Sequence, residues 1–258
     1  MNSSLGRYTR LVFHKAQSEL RAESAKTYIG MLWWILDPLL YMIVFYVVFA
    51  VLLENRTEDF ITFLLVGLVF WRWFHGTVSN GANSILVGRA LMQQIYLPKV
   101  IFILSNILSD LVKFLLILVL LLGFLWLRGY PVTEHYLALP VIMMVQLILM
   151  IGITTLVAAL IPLLPDLRFI VDNTLLMMLF LSGIFYSGKS LEPQKQDWFY
   201  LNPMARHLEM YREVLIDAQW PDFADLLWPL ACGVVLILIA SLVLNRLDRQ
   251  YPKIVKIR

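Results

Sequence analysis

The chain has 258 residues, of which 60% are hydrophobic and only 15% are charged, and its mean hydropathy is +0.75. A soluble domain of this length is far less apolar, so the composition excludes that class and indicates an integral membrane protein. A net charge of +3 is too small to indicate a nucleic-acid partner. The single cysteine, Cys232, excludes an internal disulfide and a cysteine metal cluster.

The N-terminal arm has the pattern of an amphipathic helix. Apolar residues recur at helical spacing and basic residues fall mostly on other faces: Tyr8, Leu11, Val12, Ala16 and Leu20 against Arg7, Arg10 and Arg21. The pattern predicts a helix over residues 1–30 that lies in the membrane interface, although a targeting sequence or a solvated helix has the same pattern. A cleaved signal peptide is excluded, because the apolar run that follows is too long for one.

Six stretches are apolar enough and, at roughly 20 residues each, long enough to cross a hydrocarbon core of about 30 Å. They lie at about 33–53, 60–84, 101–127, 137–161, 170–187 and 226–246. Lys and Arg outside these spans number thirteen on the side of the N-terminus and six on the other side, which predicts cytoplasmic termini. We therefore predict an all-α integral membrane domain over residues 1–258, with a cytoplasmic tail at 247–258.

The outer segment 189–220 is long and rich in proline and aromatic residues. Its aromatic side chains Trp198, Tyr200, Tyr211 and Trp220 suit the membrane interface, where a ring is half wet. Non-helical backbone at that depth has to be buried in protein or face a water-filled path. We expect re-entrant helices here, which dip into the outer leaflet before the last span.

Two enzyme motifs occur in the sequence, but neither has the context its chemistry needs, and we predict no catalytic residue. Gly183, Gly188, Lys189 and Ser190 match a phosphate-binding loop, but no buried strand precedes them and they fall on the outer face, away from cytoplasmic ATP. Ser182 with His75 suggests an intramembrane serine hydrolase, yet nothing in the sequence supplies a base and an oxyanion site. The hydrolase stays a distant alternative.

No metal site is predicted, because the four histidines fall in four different segments without a paired-ligand spacing. Three charges inside the spans carry more weight, since a charge at the bilayer centre costs about 2.5–3.5 kcal/mol. Asp110 and Lys113 share a helical face, and Arg72 joins them if the second and third spans are neighbours. A structural ion network and a polar pathway both remain open.

Aromatic residues are also in excess within the first two spans. Rings at this depth suit a pathway for sugar rings, whereas a lipid-facing belt is the default explanation. The candidate path residues are Trp33, Trp34, Tyr41, Phe45, Trp71, Arg72, Trp73 and Phe74. On the cytoplasmic side, residues 88–99 have helix formers up to Pro98, so they form either a short helix that docks onto a separate protein or a simple turn.

Several short motifs occur here in an order typical of one family. They are the run Tyr28-x-Gly30-x-Leu32-Trp33-x-x-Leu36-x-Pro38 after a basic arm, Leu97-Pro98, Leu201-Asn202-Pro203-Met204, Tyr211-Arg212 and Trp220-Pro221. With six spans, they resemble the membrane subunit of ABC-2 type transporters. The chain looks most like the exporters of lipid-linked O-antigen and related cell-surface polysaccharides; an ABC-2 permease for a small molecule, drug or lipid is the runner-up.

The resemblance implies a half-transporter of the bacterial inner membrane that forms a homodimer, binds two ATP-binding ABC subunits and leaves ATP and Mg to them. It implies an undecaprenyl-diphosphate-linked glycan as substrate and membrane lipids as further partners. The ATPase-contacting loop would contain Arg89, Gln93, Gln94, Pro98 and Lys99. The periplasmic gate would contain Trp198, Tyr200, Tyr211, Arg212 and Trp220. Separately, charge suggests that Arg7, Arg10 and Arg21 attract the diphosphate or lipid headgroups.

Overall fold

The structure is a computed structural model that describes residues 2–26, 28–48, 58–94, 97–248 and 251. These residues form helices and turns, with no strand among them. The helices are α1 Asn2–Ala25, α2 Trp33–Tyr46, α3 Glu58–Ala82, α4 Ser84–Val87, α5 Arg89–Gln94, α6 Val100–Leu127, α7 Leu139–Leu160, α8 Leu167–Leu181, α9 Pro193–Phe199, α10 Pro203–Leu215 and α11 Leu227–Leu247. The side chain of Phe45, the end of the first predicted span and most of the tail lie outside the described residues.

Four helical stretches in the described part of the chain are long and apolar enough to cross a membrane, so the protein is a multi-pass membrane protein. They are Phe60–Ala82, Val100–Leu127, Glu134–Leu160 and Phe223–Leu247, and each agrees closely with a predicted span. The predicted fifth span differs, because α8 has only 15 residues. At 1.5 Å per residue it is about 22 Å long, shorter than a hydrocarbon core of about 30 Å.

The early end of α8 has a local cause. The chain leaves the helix through Ser182 into Gly183, whose φ of +73° lies in the region that favours glycine.

Helix α10 begins with a clear start signal. Asn202 Oδ1 accepts the N–H of Met204 at 3.0 Å, and Pro203 supplies the first turn.

Side-chain contacts define two ends of the bundle. At the end that contains α5, Lys99 Nζ lies 3.0 Å from Asp248 Oδ1, and the Tyr251 hydroxyl donates to Ala159 O at 2.9 Å. We call this the α5 end. At the opposite end, the α10 end, the Trp228 indole donates to Leu201 O at 3.0 Å. The long helices therefore run up and down between the two ends.

The main core lies where α3 meets α6, α7 and α10. Phe70 is fully buried and stacks on Tyr211 of α10, with ring centroids 3.5 Å apart. Between α7 and α11, close approach depends on glycine: a Cβ at Gly152 would lie 2.8 Å from the carbonyl oxygen of Gly233. Small residues at such crossings allow membrane helices to pack tightly.

The predicted N-terminal helix exists and runs beside the first half of α6. Lys15 Nζ lies 5.2 Å from the centre of the Phe102 ring, while the Ser109 hydroxyl contacts Glu19 Oε2 at 3.2 Å. Contacts thus advance along both helices in the same direction. Of the predicted apolar face, Ala16 is buried, Val12 and Leu20 are half-buried, and Tyr8 and Leu11 are exposed.

Candidate functional site

A polar cavity of about 360 Å³ lies where α1 ends and α2 begins. Helices α1, α2, α3 and α6 all contribute to its wall. Its lining combines ionisable, amide and hydroxyl side chains with three tryptophans, an unusual mixture for the interior of a membrane bundle. The polar residues are Glu23, Arg72, Thr77, Asn80, Asp110 and Lys113, and the tryptophans are Trp33, Trp34 and Trp73.

An ion network crosses one wall of the cavity. Lys113 Nζ lies 2.6 Å from Glu23 Oε2 and 3.1 Å from Asp110 Oδ1. The Asn80 amide donates to Asp110 Oδ2 at 3.2 Å. The local pair that the spacing of Asp110 and Lys113 suggested is therefore present, and it is joined by a carboxylate from α1. The network links α1, α3 and α6, because each of these helices supplies one of its members. It also gives each buried charge a partner, without which burial of the charge would be costly.

The tryptophans and Arg72 occupy the side of the cavity that α2 and α3 form. Trp34 faces Lys113, with 5.8 Å between Nζ and the ring centre, and Trp73 stacks on Phe114 at 4.1 Å. The Arg72 guanidinium lies 4.1 Å from the centre of the Tyr41 ring, within the range of a cation–π contact.

The structure therefore brings together half of the predicted path residues. Trp33, Trp34, Arg72 and Trp73 line the cavity, and Tyr41 adjoins it through Arg72. Trp71 and Phe74 are elsewhere: at 2% and 1% exposure they belong to the packed core within one chain. They lie on other faces of α3, since a helix turns by about 100° per residue.

Sequence reasoning did not assign Glu23, Thr77 or Asn80 to a site. A signal for two of them was present, because Trp73, Thr77 and Asn80 follow one another at spacings of four and three residues and so share a face of α3. Glu23 gave no such signal. Its role depends on the long-range approach of α1 to α6.

Residues of the predicted ATPase-contacting loop divide into two groups. Gln93 and Gln94 are exposed, and Arg89 and Pro98 are half-buried. Lys99 is only 3% exposed and pairs with Asp248 at the end of α11. The arginines of α1, Arg7, Arg10 and Arg21, are exposed and do not line the cavity.

The predicted gate residues also divide. Trp198 and Trp220 are exposed. Tyr200 is half-buried and Arg206 lies over its ring at 5.3 Å; burial raises the pKa of Tyr200 to about 12, so its hydroxyl keeps its proton. Tyr211 and Arg212, in contrast, are buried inside the bundle.

Tyr211 and Arg212 hold α10 against its neighbours. The Tyr211 hydroxyl donates to Gln146 Oε1 of α7 at 2.7 Å. The Arg212 guanidinium donates to the carbonyl oxygens of Gly183 at 2.8 Å and Ile184 at 3.1 Å. A Cβ on Gly67 would clash with Arg212 Nη2, so this glycine makes room for the guanidinium.

The loop that matches a phosphate-binding motif is engaged with carboxylates of α10. The Gly188 N–H donates to Glu209 Oε2 at 3.3 Å, and Lys189 Nζ lies 2.7 Å from Glu213 Oε1. Helix α8, not a strand, precedes the loop. The Ser182 hydroxyl is also engaged by a nearby side chain, because it accepts a hydrogen bond from the Asn202 amide at 2.9 Å.

Comparison with known proteins identifies the family. The chain matches the family described as ABC-2 type transporter over residues 15–216. It is 28% identical over 251 residues to the O-antigen export system permease protein RfbA of Myxococcus xanthus, covering 96% of each chain. It is 23% identical over 257 residues, 98% of each chain, to the Klebsiella pneumoniae protein of the same name. It is also 24% identical over 203 residues to the polysialic acid transport protein KpsM of Escherichia coli, covering 77% of this chain and 78% of the other. The chain therefore belongs to the ABC-2 type transporter family of membrane proteins.

Proposed function

We propose that the chain is the membrane-spanning permease subunit of an exporter that moves lipid-linked polysaccharide across the bacterial inner membrane. The observation that carries the proposal is similarity along 96% of the chain to a permease named for O-antigen export. Similarity to a polysialic acid transport protein also supports a polysaccharide as the cargo. An ABC-2 permease is a transport subunit, and its family implies a partner ABC subunit that binds ATP.

The proposed topology has six spans in each of two identical subunits, with α2 and α8 as the two shorter spans and both termini in the cytoplasm. Helices α9 and α10 would then be re-entrant from the periplasmic side. Support comes from the depth of α10: Tyr211 stacks on Phe70, ten residues or about 15 Å from the start of the span at Phe60. Most of α10 is buried in protein, as backbone at this depth requires.

The proposed docking surface for the ATP-binding subunit is the exposed face of α4 and α5. Met92 is buried beneath this surface, while Val87 and Leu91 expose apolar side chains beside Gln93 and Gln94. An exposed apolar patch with a polar rim is typical of a protein interface. Lys99, inside the bundle, would support this surface without contacting the partner.

In this proposal the lipid-linked glycan enters near the α1–α2 junction. Arg7, Arg10 and Arg21 would attract the diphosphate or lipid headgroups along α1, because phosphate groups favour clustered guanidinium groups. Trp198, Tyr200 and Trp220 would border the periplasmic exit. Tyr211 and Arg212 would act there only by holding α10 in position.

The test is deletion of the gene in its source strain, followed by measurement of surface polysaccharide and of lipid-linked glycan inside the membrane. Deletion should remove the polysaccharide from the surface and accumulate its lipid-linked form. Complementation should restore it, and the purified chain alone should hydrolyse no ATP. Unchanged surface polysaccharide in the deletion strain would overturn the proposal.

The docking surface has its own test. Leu91→Asp should abolish co-purification with the ATP-binding subunit, whereas Leu137→Asp, at an exposed position near the α10 end, should not. Co-purification that is unaffected by Leu91→Asp would place the docking surface elsewhere.

A further inference from the structure

Two buried polar atoms beside the cavity have unmet hydrogen-bonding capacity. Trp73 Nε1 and Thr77 Oγ1 have no hydrogen-bond partner among the described residues, and both residues line the cavity. An indole N–H can only donate, so Trp73 requires an acceptor. Leaving a buried donor unsatisfied costs about 1–3 kcal/mol, and native proteins rarely leave such a group without a partner in the protein, in water or in a ligand. The cavity is therefore suited to a guest that carries hydroxyl oxygens.

Charge balance in the cavity favours a neutral guest. The lining carries two cations, Lys113 and Arg72, and two carboxylates, Glu23 and Asp110, so its formal charges balance. Lys113 faces both carboxylates, and the Arg72 guanidinium lies over the Tyr41 ring. An added anion would give the cavity a net negative charge, and at Lys113 it would have to displace Glu23 or lie beside two negative charges. A hydroxyl group can instead donate to a remaining carboxylate lone pair, and it can accept the third N–H of the lysine, which has two acceptors among the described residues.

The shape and size of the cavity narrow the guest further. Its volume of about 360 Å³ lies at the lower end of small-ligand pockets, which span about 300–1,000 Å³. Trp33 and Trp34 line the side that α2 forms. The negative face of an indole favours the positively polarised C–H face of a sugar ring. Flat apolar walls beside paired donors and acceptors are suited to a single pyranose.

We propose that this cavity binds one sugar unit of the exported glycan within a single subunit. Trp33 and Trp34 stack on the ring, while Trp73, Thr77 and Lys113 hydrogen-bond to its hydroxyl groups. The inference rests on the proposed function as a glycan exporter and names the place where the cargo is recognised. Because the cavity lies at the α1–α2 junction, where the glycan is proposed to enter, it would select the cargo on the entry side of the protein.

The test is saturation-transfer NMR on the full chain in lipid nanodiscs. The probe is the mixture of monosaccharides released by acid hydrolysis of the surface polysaccharide of the source strain. At least one of these sugars should show a saturation-transfer signal with the wild-type chain, which indicates that the sugar binds. Trp73→Phe keeps a smaller aromatic ring but removes the indole N–H, and Thr77→Val removes the hydroxyl at nearly constant volume. Each substitution should weaken binding about five-fold.

Matched controls separate a site effect from a folding effect. Thr62 is also buried on α3 with a hydroxyl that has no partner among the described residues, but it does not line the cavity, so Thr62→Val should leave sugar binding unchanged. Trp126→Phe, at an exposed position of α6, should do the same. Equal binding by the Thr77→Val and wild-type chains, or no saturation of any sugar, would overturn the inference. Competition by inorganic diphosphate would also overturn it, because it would show an anion site instead.

The deletion phenotype and the NMR result together distinguish this inference from the proposed function. If deletion leaves surface polysaccharide unchanged, the proposed function fails. If deletion removes the polysaccharide but the wild-type chain saturates no sugar, export stands and the sugar site is refuted.

Discussion

The carboxylate of Glu23, near the end of α1, lies 2.6 Å from the ammonium group of Lys113 on α6. This pair closes one side of the polar cavity and joins the N-terminal helix to the bundle. Glu23 is half-exposed, whereas Asp110, the other partner of Lys113, is buried. Glu23 is therefore the partner that separates more easily from Lys113. The position of α1 and the charge state of the cavity are therefore linked.

Replacing Glu23 by Gln should loosen α1. Loss of a partly exposed ion pair costs about 1 kcal/mol or less, so hydrogen exchange in the second half of α1 should accelerate up to about five-fold while the core of α3 is unchanged. Hydrogen–deuterium exchange with mass spectrometry measures this directly. Glu192→Gln, which breaks an exposed pair with Lys195, is the control and should change nothing in α1. Unaltered exchange in Glu23→Gln would show that the pair does not hold the helix.

Breaking the Lys99–Asp248 pair should destabilise the α5 end. Lys99→Met leaves the half-buried Asp248 carboxylate without this partner, and removal of one member of a buried pair costs roughly 3 kcal/mol. The melting temperature in detergent should fall by about 5–10 °C. The exchanged pair Lys99→Asp with Asp248→Lys should recover part of the loss. A melting temperature within about 1–2 °C of the wild type would contradict a structural role for the pair.

Gly67 and Arg212 should behave as a coupled pair. Gly67→Ala alone places a methyl group against the Arg212 guanidinium and should cost about 1–3 kcal/mol through overpacking. In an Arg212→Ala background the same substitution should cost little, because the crowding atom is gone. Thermal unfolding of the four chains of this double-mutant cycle measures the coupling. Additive effects would mean that the cost of Gly67→Ala does not arise from contact with the Arg212 guanidinium.

Gly152→Ala should disturb the packing of α7 against α11. Its methyl group would lie 2.8 Å from a backbone oxygen of Gly233, which cannot rotate away as a side chain can. We expect a loss of about 1–3 kcal/mol, seen as a lower melting temperature. Gly123→Ala is the matched control, because a methyl group there would meet no neighbouring element within 4 Å in the described part of the chain. That substitution should be neutral or slightly stabilising, since alanine has the higher helix propensity.

The cavity was only partly predictable. The spacing of Asp110 and Lys113 allowed a local pair, which the structure contains, because residues three apart share a helical face wherever the helix lies. The same local logic could not separate Trp73, which lines the cavity, from Trp71, which is packed in the core. Both are large rings on the second span, and only the neighbours of α3 distinguish their faces. Tyr211 was predicted to be interfacial on its residue type, yet α10 packs into the bundle and buries it.

By itself, the sequence determined that this is a multi-pass helical membrane protein and where four of its spans lie, because apolar length is a local property of the chain. It also determined the family, through the order of short motifs. Tertiary structure decided that Glu23 meets Lys113, that Lys99 is internal and that Arg212 fills the space above Gly67. Each of these contacts joins helices far apart in the chain, and a long-range contact depends on packing that no local pattern encodes.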